Sequence, residues 1–382
     1  MNTCVAESHS SRTGNHVQSR AKGTDDTGKL RVAAVGLGWV AIHRHLPAMQ
    51  RTREYEVVGV VDRSPGRARE IKLQRGYRYY AEADDLTRVE WLDEVDAVTV
   101  ATAPMAHYQI VRQALELGKH VLVEKPFAMS VSEGEELVRL AGLHDRRLAI
   151  VHNFQFAGSM KRLLADLGSG KFGEIRSIAA VQLGNPRRRL PVWYEQLPLG
   201  LFYDEVPHLL YLLRRIAGEI LLTRCLVYPS STGLNTPARV DAFFASPALA
   251  RPITLSCNFE STVSEWYLMV FGENRLGIVD IFRNIYISLP NDGAHDAARV
   301  CRTSLYAAGQ QLSQYVVNGI PHLTGRLLYG NDEVFKRFVQ AIRGRKEELM
   351  PIGEDNALAV LRLQHEIIRK QERADSISGS LR

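Results

Sequence analysis

The sequence predicts an α/β protein in two parts: an N-terminal doubly wound parallel sheet, then an α+β domain built on an open, largely antiparallel sheet. Three observations carry this. Continuous apolar strands alternate with helices from residue 30 to residue 152. A glycine-rich turn joins the first strand to the first helix. After His152 the apolar pattern changes to period two.

The elements follow in order. LRVAAVG, EVVGVVD, DAVTVAT, HVLVE and RLAIVH are apolar strand runs. Between them lie helices through Pro47, from Pro65, through Leu117 and from Val131. Strands without polar alternation are buried on both faces, as in a parallel sheet whose crossovers lay helices over it. In ITLSCNFE, by contrast, Ile253, Leu255, Cys257 and Phe259 alternate with Thr254, Ser256, Asn258 and Glu260. With IRSIAAVQL, ILLTRCLVY, ARVDAFFA, WYLMVFG and NIYISL this gives about six half-polar strands, the habit of a sheet with one covered face. A helix from Asp332 carries Val334, Phe335, Phe338, Val339 and Ile342 on one face and ends before Gly344; a last helix runs from Asp355 to Glu372. The expected organisation is a disordered tail over 1–29, a nucleotide-binding domain over 30–152, a substrate and oligomerisation domain over 153–330, C-terminal helices over 331–375 and a mobile end over 376–382. Residues 292–330 read as an insertion around the site or an interface arm.

Composition narrows the function classes. Of 382 residues, 45% are apolar and 24% charged, enough for two real cores. No apolar run reaches the roughly 20 residues that span a bilayer, and no apolar block marks a secretory signal, so a cytoplasmic location is expected. Four cysteines without CxxC spacing support neither zinc nor a disulfide framework. The net charge of +6 is spread among acids without a basic block interleaved with aromatics, which argues against nucleic acid.

The chemistry-bearing motifs begin at AAVGLGWVAIHRHLP, where Gly36, Gly38 and Ala41 stand in G-x-G-x-x-A spacing between a strand and a helix. Gly36 permits the tight turn, Gly38 admits a pyrophosphate, and Ala41 lets helix and strand pack. The free amides of the helix N-terminus face the anion. The second strand ends in Asp62, whose carboxylate suits an adenosine ribose and repels a 2′-phosphate, so NAD is favoured over NADP. Asp62 also reads as a cap before Pro65, and Arg63 and Ser64 are able to hold a phosphate. His43 and His45, two apart, point to different faces of a solvated helix. VLVEKPFA ends another strand in Lys125, either a catalytic ammonium at the mouth of the sheet or a surface lysine paired with Glu124. GLFYDEVPHLLYLL puts Asp204 one helical turn before His208. Pro207 requires that helix to begin near Asp204, leaving His208 in the first turn, where the dipole keeps it neutral. The bland readings are an N-cap for Asp204 and a satisfied core histidine for His208.

Together, G-x-G-x-x-A, EKP at a strand end and D-x-x-x-H in the second domain resemble the Gfo/Idh/MocA family over Leu30 to about Glu372. The resemblance implies a Rossmann domain binding NAD(P), and dimers or tetramers formed through the open sheet. It implies a site of Lys125, Asp204 and His208, with Trp39, Val40, Thr102, Ala103, Pro104, His107 and Glu124 along the cofactor. Asn153, Tyr203 and Arg187 are candidate substrate contacts, the last within an arginine run that also reads as a solvated loop. No metal is expected. The implied activity is hydride transfer between nicotinamide and a hydroxyl-bearing carbon of a sugar, cyclitol, nucleotide sugar or similar polar molecule. A cofactor-holding regulator, an imine reductase and a transient-oxidation eliminating enzyme are the alternatives. Glu205, Val206 and Pro207, and Met105 and Gln155, depart from the family's habits and leave pocket shape and reaction type open.

Overall fold

The computed structural model describes residues 28–188, 190–370 and 372–373. The two expected tails lie outside these residues apart from Gly28 and Lys29. Six parallel strands make the first sheet: β1 (Leu30–Val35), β2 (Tyr55–Val61), β3 (Tyr79–Ala81), β4 (Ala97–Val100), β5 (His120–Val123) and β6 (Leu148–Ile150). Their order is β3-β2-β1-β4-β5-β6. The direction of winding reverses between β1 and β4, which opens a crevice beyond their C-terminal ends. α1 (Leu46–Thr52), α2 (Arg67–Arg75), α3 (His107–Glu116) and α4 (Val131–Leu143) make the crossovers.

The second sheet is mixed. It holds β7 (Ile175–Leu183), β8 (Leu221–Tyr228), β9 (Arg239–Ala245), β10 (Ile253–Asn258), β11 (Glu265–Gly272), β12 (Arg275–Asp280), β13 (Ile285–Pro290) and β14 (Glu372–Arg373). The order is β13-β12-β11-β7-β10-β9-β8-β14; β7 with β10 and β8 with β14 run parallel and the rest antiparallel. The expected count of about six strands omits β14, a two-residue strand, and β12, whose period Gly277 hides. That glycine makes room for a ring: a Cβ there would lie 2.7 Å from Phe172 Cζ.

α5 (Gly158–Gly168) enters the second lobe, and α6 (Leu201–Ala217) lies over the inner face of its sheet. The outer face is left with half-buried Val181, Leu183, Tyr267, Met269, Ile278 and Ile287. Residues 292–330, illegible in the sequence, are mostly the long α7 (Ala297–Leu323). It lies along the edge strand β13, where Gln314 Oε1 accepts from Tyr286 N–H at 2.8 Å and Gln310 Oε1 from Ser288 N–H at 2.9 Å. Side-chain amides thus occupy backbone groups that an open edge would present.

Two C-terminal helices return to the first lobe before β14 joins the second sheet. α8 (Asn331–Ile342) sends Phe335 and Phe338 into the core beside Leu46 and Met49, and α9 (Glu354–Arg369) sends Leu358 and Leu361 into the core beside Phe127 and Leu137. Between them Ile352 C=O accepts from Ile150 N–H at 2.7 Å, extending the parallel sheet past β6. Among the described residues no helix is long and apolar enough to cross a membrane.

Candidate active site

The site is assembled at the crevice. Gly36 has φ +81°, and a Cβ on it would lie 2.6 Å from Thr102 Cγ2 and 2.7 Å from Thr102 N, on the loop after β4. Internal packing alone therefore demands glycine at 36. At Gly38 a Cβ would meet nothing nearer than Ala101 O at 4.0 Å, so its bareness serves no packing inside the protein. Asp62 is nearly buried and ties the turn to the end of β2: Leu37 N–H donates to Oδ2 and Ser64 N–H to Oδ1, each at 2.7 Å. Arg63 beside it is exposed. Trp39 stands out, 61% exposed, with the Arg44 guanidinium stacked between its ring at 4.9 Å and that of Tyr329 at 5.2 Å.

His43 and His45 require a correction. Residues Ala41–His45 form a π-helical turn, and the helix is not solvated all round: the two histidines do point to different faces, but only the His43 face meets solvent. His45 is fully buried, its Nε2 3.0 Å from Glu124 Oε1. The other carboxylate oxygen of Glu124 accepts from Lys125 N–H at 3.1 Å, so Glu124 braces the end of β5 from within.

Lys125 reaches across to the second lobe. Its Nζ donates to Asp204 Oδ1 and to the Asp204 carbonyl, both at 2.9 Å. Burial works to lower its pKa, but the charges of Asp204, Glu124 and Glu205 and the Asp204 hydrogen bond outweigh it and raise the value, so the ammonium persists. One turn along α6, His208 is 9% exposed, its ring against Phe154 at 4.6 Å and Trp266 at 5.5 Å. Burial first, then the Lys125 charge, push its pKa well below the usual histidine value, leaving a neutral imidazole. Lysine, aspartate and histidine from two lobes thus share one end of the sheet.

The expected start of this helix is corrected too. α6 begins at Leu201, after Gly200, so Pro207 and His208 sit beyond its first turn. Its first N–H is capped from afar, Leu201 N–H donating to Thr236 Oγ1 at 2.9 Å. Pro207 has no N–H for the carbonyl four residues earlier, and Gln364 Nε2 of α9 supplies one instead, donating to Tyr203 C=O at 2.7 Å. Neutrality of His208 therefore comes from burial and Lys125, not from a helix N-terminus.

Some expected contacts face elsewhere. Tyr203 is completely buried, its hydroxyl donating to Ala128 C=O at 2.8 Å beside His365 Nε2, so it locks α6 to the first lobe and offers nothing to a substrate. His107 is buried between Pro126 C=O at 2.7 Å and Thr102 C=O at 3.2 Å, and braces two loops of the crevice instead of lining it. Arg187 is exposed on the loop after β7. Thr102, Ala103 and Pro104 follow β4 at the crevice, and Val40 and Ala41 open the helix after the glycine turn.

Two groups were missed. Tyr211, three residues after His208, puts its hydroxyl 2.9 Å from His208 Nδ1; the spacing H-x-x-Y on one helix face was the available signal. Glu205 is nearly buried and pairs with Arg188 at 2.7 Å and with Gln182. Burial raises its pKa, with Arg188 opposing. Glu205 and Arg188 come from distant segments, so no spacing announced the pair.

Residues 30–152 match the GFO_IDH_MocA model, described as an oxidoreductase family with an NAD-binding Rossmann fold. A dTDP-3,4-didehydro-2,6-dideoxy-alpha-D-glucose 3-reductase of Saccharopolyspora spinosa is 34% identical over 158 residues, 40% of this chain and 45% of that protein. The chain spans about half the length of the curated relatives it matches. Among solved structures, the 3-ketoreductase KijD10 of Actinomadura kijaniata, in complex with NADP, superposes with TM-score 0.67 at 18% identity, covering 90% of this chain and 98% of that one. The WlbA dehydrogenase of Bordetella pertussis, with NADH and UDP-GlcNAcA, gives 0.69 at 16% identity, covering 91% and 96%. These two likenesses give the fold across both lobes; the family model covers the first. Residues 30–152 thus match the NAD-binding Rossmann domain of the Gfo/Idh/MocA oxidoreductase family, on a chain that shares the fold of its structural neighbours across both lobes.

Proposed function

We propose that the protein is an NAD(P)-dependent oxidoreductase acting on a CH–OH carbon of a sugar, cyclitol, nucleotide sugar or similar polar molecule. The observation that carries this is the grip of Lys125, from the end of β5, on Asp204 of α6, one turn before His208. The crevice suits a dinucleotide: Gly38 is bare without an internal reason, and Thr102 Oγ1 is buried without a partner among the described residues. When bound, the dinucleotide supplies the hydride donor or acceptor. His208, neutral and buried, takes the substrate hydroxyl proton in oxidation and returns one in reduction. Lys125 donates a hydrogen bond to the same oxygen, and its charge counters the developing alkoxide in a site with little water. Asp204 holds the ammonium in place. Relatives named as nucleotide-sugar reductases support the substrate class.

NAD is favoured over NADP, because the Asp62 carboxylate closes the end of β2 with a negative charge. Self-association through the open face of the second sheet, and a cytoplasmic setting consistent with free Cys257 and Cys301, complete the reading.

The test is turnover of a panel of polyols, keto-sugars and nucleotide sugars by the wild type and by Lys125→Ala and His208→Ala variants. Each variant is expected to bind dinucleotide normally, by fluorescence titration, and to lose roughly 100-fold or more in kcat. Folded, cofactor-binding variants that kept most of their turnover would overturn the assignment.

A further inference from the structure

Tyr211 is held by three partners. Phe154 N–H donates to its oxygen at 3.0 Å, His208 Nδ1 lies 2.9 Å away, and Asn153 Oδ1 lies 3.5 Å away. His152 stacks on the phenol ring at 4.4 Å, with 24° between the planes, so the ring is fixed. Asn153 is fixed as well, since its Nδ2 donates to Tyr329 C=O at 3.3 Å and so turns Oδ1 toward the phenol.

A phenol has one hydrogen and two lone pairs. Phe154 N–H takes one lone pair. The hydrogen then goes either to His208 Nδ1 or to Asn153 Oδ1. In the first case Nδ1 is bare and Nε2 carries the imidazole proton, while Asn153 Oδ1 faces a phenol oxygen with no hydrogen between them. In the second, Nδ1–H donates to the remaining lone pair, Asn153 Oδ1 receives the phenol hydrogen, and every group is satisfied. Buried networks settle into the arrangement that leaves no acceptor stranded. Nε2 is then bare, and it has no hydrogen-bond partner among the described residues.

We propose that Tyr211, oriented by Asn153 and the Phe154 amide, is the positioning residue that sets the tautomer of His208, holding the proton on Nδ1 and leaving Nε2 as the free base. This rests on the hydride-transfer reading for its consequence in catalysis, though not for the tautomer itself. When Nε2 takes a proton, Nδ1–H already points at an acceptor, so the imidazolium forms without rearrangement of its partners.

The experiment is 15N NMR of the full chain labelled at histidine, with His208 assigned by its disappearance in His208→Gln. The wild type is expected to show a protonated Nδ1 and a bare Nε2. Tyr211→Phe removes the acceptor, and the proton is expected to redistribute toward Nε2. Asn153→Ala keeps Tyr211 and its bond to Phe154 N–H but frees the phenol hydrogen for Nδ1, so the tautomer is expected to reverse. In both variants kcat is expected to fall by about 10- to 100-fold, with KM within about twofold in Tyr211→Phe, part of a general base's contribution. A bare Nδ1 in the wild type, or a tautomer unchanged in both variants, would overturn the inference. The predicted tautomer in a wild type that turned over no substrate would leave it standing and count against the oxidoreductase reading.

Discussion

Gly36 and Gly38 lie two residues apart and are glycine for different reasons, which a pair of substitutions separates. Gly36→Ala drives a Cβ into Thr102 and asks an L-residue to hold φ +81°, so it is expected to cost about 1–3 kcal/mol or more of stability by denaturant melts. Gly38→Ala brings its Cβ no nearer than 4.0 Å to any protein atom, so stability is expected to stay within about 0.5 kcal/mol while dinucleotide affinity falls. Equal stability losses in the two variants would contradict the packing argument. At this scale the sequence was informative where spacing mirrors geometry, as in the glycine turn and the one-turn step from Asp204 to His208. It misled where a distant segment covers a face: His45 is buried against Phe335 and Glu124, and nothing in AIHRH reveals those partners.

The element that joins the lobes is α6, and its defect is repaired from outside. Pro207 leaves Tyr203 C=O without a helical partner, and Gln364 supplies it. Gln364→Leu is therefore expected to destabilise the protein by about 1–3 kcal/mol, the cost of a buried acceptor left unmade. Pro207→Ala restores an N–H in register, so Gln364→Leu is expected to cost markedly less in that background. A double-mutant cycle in urea measures the difference, and additivity would refute the repair. The start of α6 was illegible for a related reason: its cap, Thr236, stands 35 residues away in sequence. α7 hid behind Pro321 near its end and a face that buries nothing, since its contacts with β13 run through glutamines.

Across the whole molecule, buried histidines set an acid limit. Burial, reinforced by Arg146 and Arg147, pushes His120 down to about 4; burial with Arg214 pushes His152 to about 3; and His208 and His107 are lowered as well, burial foremost. These groups are neutral in the fold, whereas the unfolded chain protonates them near pH 6.5. Stability is therefore complete above that value and lost as pH falls, by roughly 1.4 kcal/mol per pH unit for each such histidine, until the folded values are reached. Denaturant midpoints at about pH 7.5 and pH 5.5 measure it, and equal midpoints would refute the assignment.

The outer sheet face and the exposed Leu305, Leu312, Val316 and Ile320 of α7 bear on self-association. Ile278→Glu with Leu312→Glu is expected to shift the mass in sedimentation toward the monomer without loss of helicity. An unchanged mass would count against this face as the interface.

The return of the chain to its first lobe has a consequence for synthesis. When residue 152 leaves the ribosome, the parallel sheet still lacks the backbone partner for Ile150 and the seats filled by Phe335, Phe338, Leu358 and Leu361. The nucleotide-binding half, made first, is finished last. A nascent chain stalled before residue 330 should remain open to protease at β6, however complete its glycine turn.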